Sequence, residues 1–172
     1  VVLREGRPQT EIGAAGVRSL AVLPLENLSG DPEQDYLADG ITEEITSRLS
    51  TVAALSVISR TSAVQYKENR PPLSRIGEEL DVDYVLEGSV RWAGGEGGSS
   101  WIRMTPQLIR VADDSQVWSE SYDRRVDDIF TIQSELAEQV LMQLDVALSD
   151  NDRATLESRP TENLDAYQAY LE

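Results

Sequence analysis

The amino-acid sequence predicts an α/β fold: a mixed sheet of about five strands in the order β-α-β-α-β-β-β-α, with helices packed on the sheet. Two patterns predict it. Over residues 18–80, short apolar runs alternate with amphipathic helical segments, which is typical of parallel strands joined by helical crossovers. Over residues 84–122, apolar and polar side chains alternate one by one, which indicates an antiparallel meander.

The first half of the chain carries the predicted crossover units. Residues 1–17 are expected to form a linker, because glycines and a proline occur there without a hydrophobic period. The apolar run over 19–25 predicts a strand that is buried on both faces. Asp31, Pro32 and Gln34 form a helix-start pattern, and an apolar residue recurs every fourth position along the helix that follows. The remaining predicted elements are a strand over 55–58 and short helices over 61–67 and 73–80.

The second half carries the meander and a long helix. A strand over 84–92 is followed by a glycine-rich hairpin loop at 94–98 and a return strand, in which Pro106 predicts an edge position or a bulge. A third strand is expected over 117–122. Asp128 is the expected cap of a helix whose apolar stripe consists of Ile129, Ile132, Leu136, Val140, Leu144 and Ala147. Residues 149–161 are expected to be a loose polar segment, with a new helix from Asn163.

The charge balance excludes several classes of function. The chain carries 31 acidic and 15 basic residues, a net charge of −16, and it contains neither histidine nor cysteine. Mechanisms that need a thiol or an imidazole, and zinc sites built from those groups, are therefore excluded. The acidic balance argues against nucleic acid and against an anionic membrane surface as partners. No apolar run is long enough to insert into a bilayer, and we expect no cofactor and no bound metal.

Several blocks of sequence occur in the order found in a known bacterial domain. They read SLAVLPLENLSGDPEQDY at 19–36, DGITE at 39–43, VISRTS at 57–62, VLEGSV at 85–90, QLI at 107–109, WSESYDR at 118–124 and DIF at 128–130. On these blocks the chain resembles the TolB amino-terminal-like domain, in the variant found in large bacterial signalling proteins.

The resemblance implies a domain organisation and a context. It implies an α/β domain over 18–150, followed over 151–172 by a linker and the first helix of a truncated tetratricopeptide repeat region. Such domains accompany class III adenylate cyclases, winged-helix transcription regulators and Ser/Thr kinases, often with a membrane helix between. Because the chain starts without methionine and stops inside a predicted helix, we expect it to be a piece of a longer protein. The extracytoplasmic (periplasmic) side of a membrane-anchored parent is the favoured location.

The turn over 27–35 is the candidate ligand site, because it joins a strand end to a helix start, where α/β folds commonly bind ligands. Its polar residues are Asn27, Ser29, Asp31, Glu33 and Asp35. The alternating acids favour calcium, but Tyr36 and Thr42 stand where a calcium loop has glycine and its last glutamate. A helix cap and an ordinary turn explain the same pattern without a ligand.

Three other groups of residues are weighed as sites. Glu87 lies in the middle of a strand and is expected to pair with Arg103 or another arginine rather than to act in catalysis. A Ser–Lys pair can be drawn from Ser59, Ser62 and Lys67, but no pocket is predicted beside them. A candidate interaction surface consists of Trp118, Tyr122 and Arg124.

These observations predict a non-catalytic protein-interaction or sensory module of a multidomain bacterial signalling protein. The alternative is a small-molecule or ion-binding sensor with its site at the 27–35 turn. No catalytic residue is assigned, and an enzyme that uses carboxylates alone is the weakest interpretation. The expected partner is a protein of unidentified kind, and an exposed sheet edge would also permit a homodimer.

Overall fold

A seven-stranded mixed sheet lies at the centre of the computed structural model, which describes residues 18–94, 100–146 and 150–157. Its strands are β1 (Arg18–Val22), β2 (Glu26–Asn27), β3 (Leu55–Val57), β4 (Tyr84–Gly94), β5 (Ser100–Arg110), β6 (Ser115–Ser119) and β7 (Tyr122–Arg125). The helices are α1 (Asp35–Ser50), α2 (Arg60–Ala63), α3 (Leu73–Leu80), α4 (Ile129–Gln143) and α5 (Asp150–Glu157). Short 3-10 turns cover Pro32–Gln34, Val64–Tyr66 and Val126–Asp128.

The strand order confirms the predicted α/β class with a mixed sheet. β1 lies between β3 and β4 and is parallel to both, as the two helical crossovers require. The two-residue β2 continues this parallel pairing along β4. β4 and β5 pair antiparallel over their whole lengths, from Tyr84 opposite Arg110 to Gly94 opposite Ser100. The sheet therefore has a parallel half around β1 and an antiparallel half around β5.

The single third strand predicted over 117–122 is wrong, because the structure divides that segment in two. β6 pairs with β5 between Gln107 and Arg110, whereas β7 pairs with β5 between Trp101 and Met104. Both short strands therefore lie along the same side of β5, one after the other.

Pro106 lies at the point where the partner of β5 changes. It faces Gly88 of β4 on one side, and on the other side it lies between the registers of β6 and β7. A proline has no N–H to donate, so a gap in the ladder is a position that it tolerates. The predicted edge position is wrong, since β5 is paired on both sides. The predicted irregularity is present, because the β5–β6 register shifts between Leu108 and Ile109.

The larger hydrophobic core lies between one face of the sheet and helices α1, α4 and α5. Its fully buried side chains include Leu20, Leu86, Ile102, Met104 and Leu108 from the sheet and Ile41, Ile45, Leu49 and Ile132 from the helices. The predicted stripe of α4 is buried over residues 129–144. Asp128 holds the N-cap position of α4, but its side chain makes no capping hydrogen bond.

Residues 150–157 form helix α5, where the sequence pattern predicts a loose polar segment. Leu156 of α5 is fully buried in the larger core. Arg48 of α1 is 5% exposed and donates from Nη1 to the Leu156 carbonyl and, at 3.2 Å, to Ser134 Oγ of α4. The Leu156 side chain and the buried Arg48 guanidinium thus both attach this largely polar helix to the core. The predicted linker at 1–17, the loop at 95–98, Ala147 and the helix from Asn163 lie outside the described residues.

A smaller core covers only part of the opposite face. Ala21 and Val85 of the sheet and Leu23, just after β1, pack there against Ile76 of α3, together with Tyr66 and Val82. Helix α3 and the Val64–Tyr66 turn therefore cover the parallel half of this face. Farther along β4 and β5, the same face carries exposed side chains.

Tyr66 of the smaller core is expected to ionise only at strongly alkaline pH. Burial, reinforced by the hydrogen bond from its hydroxyl to Glu79 Oε2 (2.5 Å), raises the pKa of Tyr66 to about 12 from an ordinary value of 10.0. The pKa of Tyr66 is higher in the folded state than in the unfolded state. The protonated hydroxyl therefore contributes to folding stability fully below about pH 10, and this contribution is lost as the pH rises through 12. In an ultraviolet titration of tyrosinate, Tyr66→Phe should remove absorbance change near pH 12. An alkaline titration that is identical to that of the parent chain would contradict this assignment.

Candidate functional site

A cleft lies at the carboxyl end of β1, beside the predicted ligand turn. Its volume is about 410 Å³, and its walls come from the segment after β1, from the start of α1 and from the segment after the Val64–Tyr66 turn. The lining residues are Pro24, Leu25, Glu26, Asn27, Asp35, Ala38, Asp39, Lys67, Glu68 and Arg70. Helices that cover opposite faces of the sheet diverge at this point, which is where open α/β sheets form their crevices.

The five predicted ligand residues divide between the cleft wall and the turn itself. Asn27 and Asp35 line the cleft, whereas Ser29, Asp31 and Glu33 are absent from its lining. Asn27 Nδ2 donates to Asp35 Oδ1 (2.8 Å) and to the Asp31 carbonyl (2.9 Å), while its Oδ1 accepts from the Ser29 amide (3.0 Å). Asn27 thus acts as the internal brace of the turn.

Ser29 and Asp31 also serve the turn and the helix start. Ser29 Oγ accepts from the Trp92 amide of β4 at 2.8 Å. Asp31 Oδ1 accepts from the Glu33 amide at 3.0 Å and caps the Pro32–Gln34 turn. Asp31 therefore caps as predicted, although α1 itself starts only at Asp35.

Two cations in the cleft were missed by the sequence-based prediction of a ligand site. Lys67, the only lysine of the chain, places Nζ 2.6 Å from Asp39 Oδ2. Arg70 donates to the Pro24 carbonyl (2.9 Å) and lies 3.3 Å from Glu87 Oε2. The sole lysine, next to a predicted helix end, was a signal that the sequence did contain.

Glu87 pairs with an arginine, as predicted, but the predicted pairing across the sheet is wrong, because the arginine is Arg70 of the segment after the Val64–Tyr66 turn. The other carboxylate oxygen of Glu87 accepts from Gln107 Nε2 at 2.8 Å, across the β4–β5 pair. Arg103 instead lies 2.5 Å from Asp123 of β7. Glu87 therefore anchors the Arg70 segment to the sheet.

The cleft holds no paired nucleophile and base among the described residues. Ser59, one member of the hypothetical Ser–Lys pair, caps α2 by accepting from the Ser62 amide, and Lys67 pairs with Asp39. In the part of the chain that the structure describes, no group of three or more acidic side chains is placed to hold a metal ion. Over the same residues, no helix has the length and apolar composition needed to cross a membrane.

The structure leaves only part of the predicted interaction surface of Trp118, Tyr122 and Arg124 accessible. Tyr122 is only 2% exposed and belongs to the larger core, so assigning it to a surface is wrong. Burial is the main cause that raises the pKa of Tyr122 above its usual value, and the neighbouring Glu120 carboxylate raises it further. Trp118 is half-buried against the same core, and Arg124 lies 3.7 Å from Glu135 of α4.

A different set of residues forms an exposed surface on the antiparallel half of the sheet. We call Arg91, Trp101, Arg103 and Arg125 the arginine face. Arg91 of β4 lies directly opposite Arg103 of β5, and Trp101 lies opposite Arg125 of β7. Directly opposite residues of an antiparallel pair project to the same side of the sheet. All four side chains are exposed, on the side that α3 and the Val64–Tyr66 turn leave uncovered.

Comparisons with known proteins define the family. Residues 16–141 match the family model described as "HilA/YgeH-like transcriptional regulator, second domain". A protein of Rhizobium meliloti (strain 1021), named "Putative adenylate cyclase 3", is 44% identical over 149 residues. That match covers 87% of this chain but only 24% of the relative, so the chain spans about a quarter of its length.

Three solved structures share the fold. TolB from Acinetobacter baumannii matches with a TM-score of 0.53 and 13% identity, over 74% of this chain and 28% of TolB. Lipoprotein GNA1162 from Neisseria meningitidis matches with a TM-score of 0.52 and 16% identity, over 73% of this chain and 99% of the lipoprotein chain. The PelC dodecamer from Paraburkholderia phytofirmans matches with a TM-score of 0.51 and 18% identity, over 78% of this chain and 91% of the PelC chain. These likenesses agree with a TolB-like fold, and the family match shows that the chain belongs to the HilA/YgeH-like transcriptional-regulator second-domain family, a family of regulatory domains.

Proposed function

We propose that the chain is a non-catalytic protein-interaction or sensory module of a multidomain bacterial signalling protein. The observation that carries this proposal is the state of the cleft, whose two cations are already engaged by protein groups. Lys67 pairs with Asp39, and Arg70 is held by Glu87 and a backbone carbonyl. A catalytic site needs a poised nucleophile, acid or base, and none of these pairs supplies one.

The comparisons support a role in regulation. The family is the second domain of transcriptional regulators, and a related segment makes up about a quarter of a protein named as a cyclase. A domain that accompanies two different outputs is best explained as a unit that controls them. Of the parents that the resemblance implies, an adenylate cyclase is the one that the Rhizobium relative favours.

A turnover assay on the purified chain tests the non-catalytic part of the proposal. We expect no conversion of ATP and no hydrolysis of generic ester, phosphate or glycoside substrates above the uncatalysed rate. Turnover that Asp39→Asn or Arg70→Met abolishes, while Arg110→Met leaves it intact, would overturn the proposal. Arg110 is a suitable control because it is exposed and lies outside the cleft.

A small-molecule or ion sensor is the second candidate function, and the cleft of about 410 Å³ is the observation that favours it. Its mixed charges suit a small ligand that carries both a carboxylate and an amine, since each ligand group could replace one internal partner. A thermal-shift screen with calcium, ATP, free amino acids, sugars and short peptides tests this. Stabilisation that Lys67→Met removes supports a sensor, whereas no stabilisation by any of these probes counts against it.

A further inference from the structure

The arginine face is a local reversal of charge on a very acidic molecule. Three arginines and one acid, Asp123, meet on adjacent positions of β4, β5 and β7, whereas the whole chain has a net charge of −16. Arg103 pairs with Asp123, and Arg125 lies 3.7 Å from Asp127. Arg91 has no hydrogen bond or ion pair with any residue that the structure describes. Among the described residues, the three arginines of the patch therefore face two acids, and the charge of Arg91 has no partner.

The arrangement of these arginines costs stability in the isolated domain. Arg91 and Arg103 lie directly opposite each other in the antiparallel pair, and like charges in that position are destabilising. Although 31 residues of the chain are acidic, both of these opposed positions are occupied by arginine. An external carboxylate between the two guanidinium groups would relieve the repulsion and form charge-assisted hydrogen bonds.

Trp101 gives this surface an apolar anchor. It is 46% exposed, although tryptophan is usually well buried, and it lies between Ala93 and Arg125 across the strands. Tryptophan and arginine are the residues most enriched among those that dominate binding at protein interfaces. The combination is typical of a contact surface rather than of an exposed strand that only faces solvent.

We propose that the arginine face binds an acidic segment of a partner protein, with two or more carboxylates placed over Arg91 and Arg103 and an apolar group over Trp101. This inference rests on the proposed interaction role and adds the chemistry of the partner. Charge complementarity selects the occupant. A nucleic acid fits less well, since a patch of three arginines is small and the remaining surface would repel a polyphosphate chain.

Binding of a tryptophan-free peptide of six glutamates and one leucine tests the proposal. Calorimetry is carried out with the whole chain at about 0.15 M salt, where the Debye length of about 8 Å screens distant charges but not contact pairs. We expect saturable binding that Arg91→Glu and Arg103→Glu each weaken by about tenfold or more. Arg110→Glu is the matched control, since Arg110 lies on the same strand as Arg103 and is 45% exposed; it should change affinity by less than about twofold. Circular dichroism verifies that the variants fold.

Three outcomes would overturn the proposal: no binding of the peptide, equal losses from Arg91→Glu and Arg110→Glu, or tighter binding of a single-stranded DNA oligonucleotide through the same arginines. Each is distinguishable from failure of the proposed function, which the turnover assay reports. If the chain neither binds the glutamate peptide nor turns over any substrate, the acidic-partner proposal is overturned and the non-catalytic role is not.

Discussion

Replacing Gly88 with alanine is expected to lower the free energy of unfolding by about 3 kcal/mol. A Cβ atom at Gly88 would lie 2.4 Å from the Thr105 carbonyl oxygen and 2.8 Å from Pro106 Cα. Both contacts are with backbone, so neither atom can rotate away, and β4 and β5 would have to separate at the centre of the sheet. Urea-induced unfolding followed by circular dichroism measures the loss.

Gly94→Ala is the matched control for this prediction. Gly94 lies on the same strand, and a Cβ atom there would meet nothing within 4 Å. We expect its unfolding free energy to stay within about 1 kcal/mol of the parent value. If Gly88→Ala were as stable as Gly94→Ala, the close approach of β4 and β5 beside Pro106 would be disproved.

Replacing Arg48 with alanine should destabilise the domain by about 3 kcal/mol and release α5. The Arg48 side chain is almost completely buried and connects α1 to Ser134 of α4 and to the Leu156 carbonyl of α5. Its loss leaves the Glu44 carboxylate, which is only 13% exposed, without its partner at 3.2 Å. Urea unfolding gives the energy, and limited proteolysis reports whether α5 becomes accessible before the rest of the domain unfolds.

Arg60→Ala separates the effect of burial from that of charge. Arg60 and its partner Glu43 are both about half exposed, with 3.6 Å between the charged atoms. An exposed pair of this kind contributes less than about 1 kcal/mol. Equal destabilisation by Arg48→Ala and Arg60→Ala, or unchanged proteolysis of α5 in Arg48→Ala, would show that α5 is held by something else.

The fold class was predictable because it depends on local periodicity. The spacing of Leu37, Ile41, Ile45 and Leu49 is visible in the chain, and so is the alternation along β4. The division of the third strand was not, because the break lies opposite Pro106, which belongs to a different strand. Helix α5 was missed for a similar reason: a segment with one buried leucine has little amphipathic signal, and its packing depends on Arg48 of α1.

The candidate site was only partly predictable. The turn at 27–35 carries local signals, and the structure places Asn27 and Asp35 at the cleft. Lys67 and Arg70 reach the cleft from a separate segment, so their proximity depends on the tertiary fold. The arginine face depends on the register of three strands, which brings Arg91 opposite Arg103 and Trp101 opposite Arg125. Tyr122 was assigned to a surface because alternation does not show which face of a strand the helices cover.

Deleting the matching segment from the Rhizobium relative tests the central claim that the chemistry lies outside this domain. The segment corresponds to 149 residues, and the measured quantity is cyclic AMP formation from ATP by the intact protein and by the deletion variant. We expect the variant to keep catalytic turnover, with a rate that no longer depends on the deleted domain's binding partner. Cyclic AMP formation by the separately purified segment would contradict the claim, because it would place catalytic groups in the domain itself.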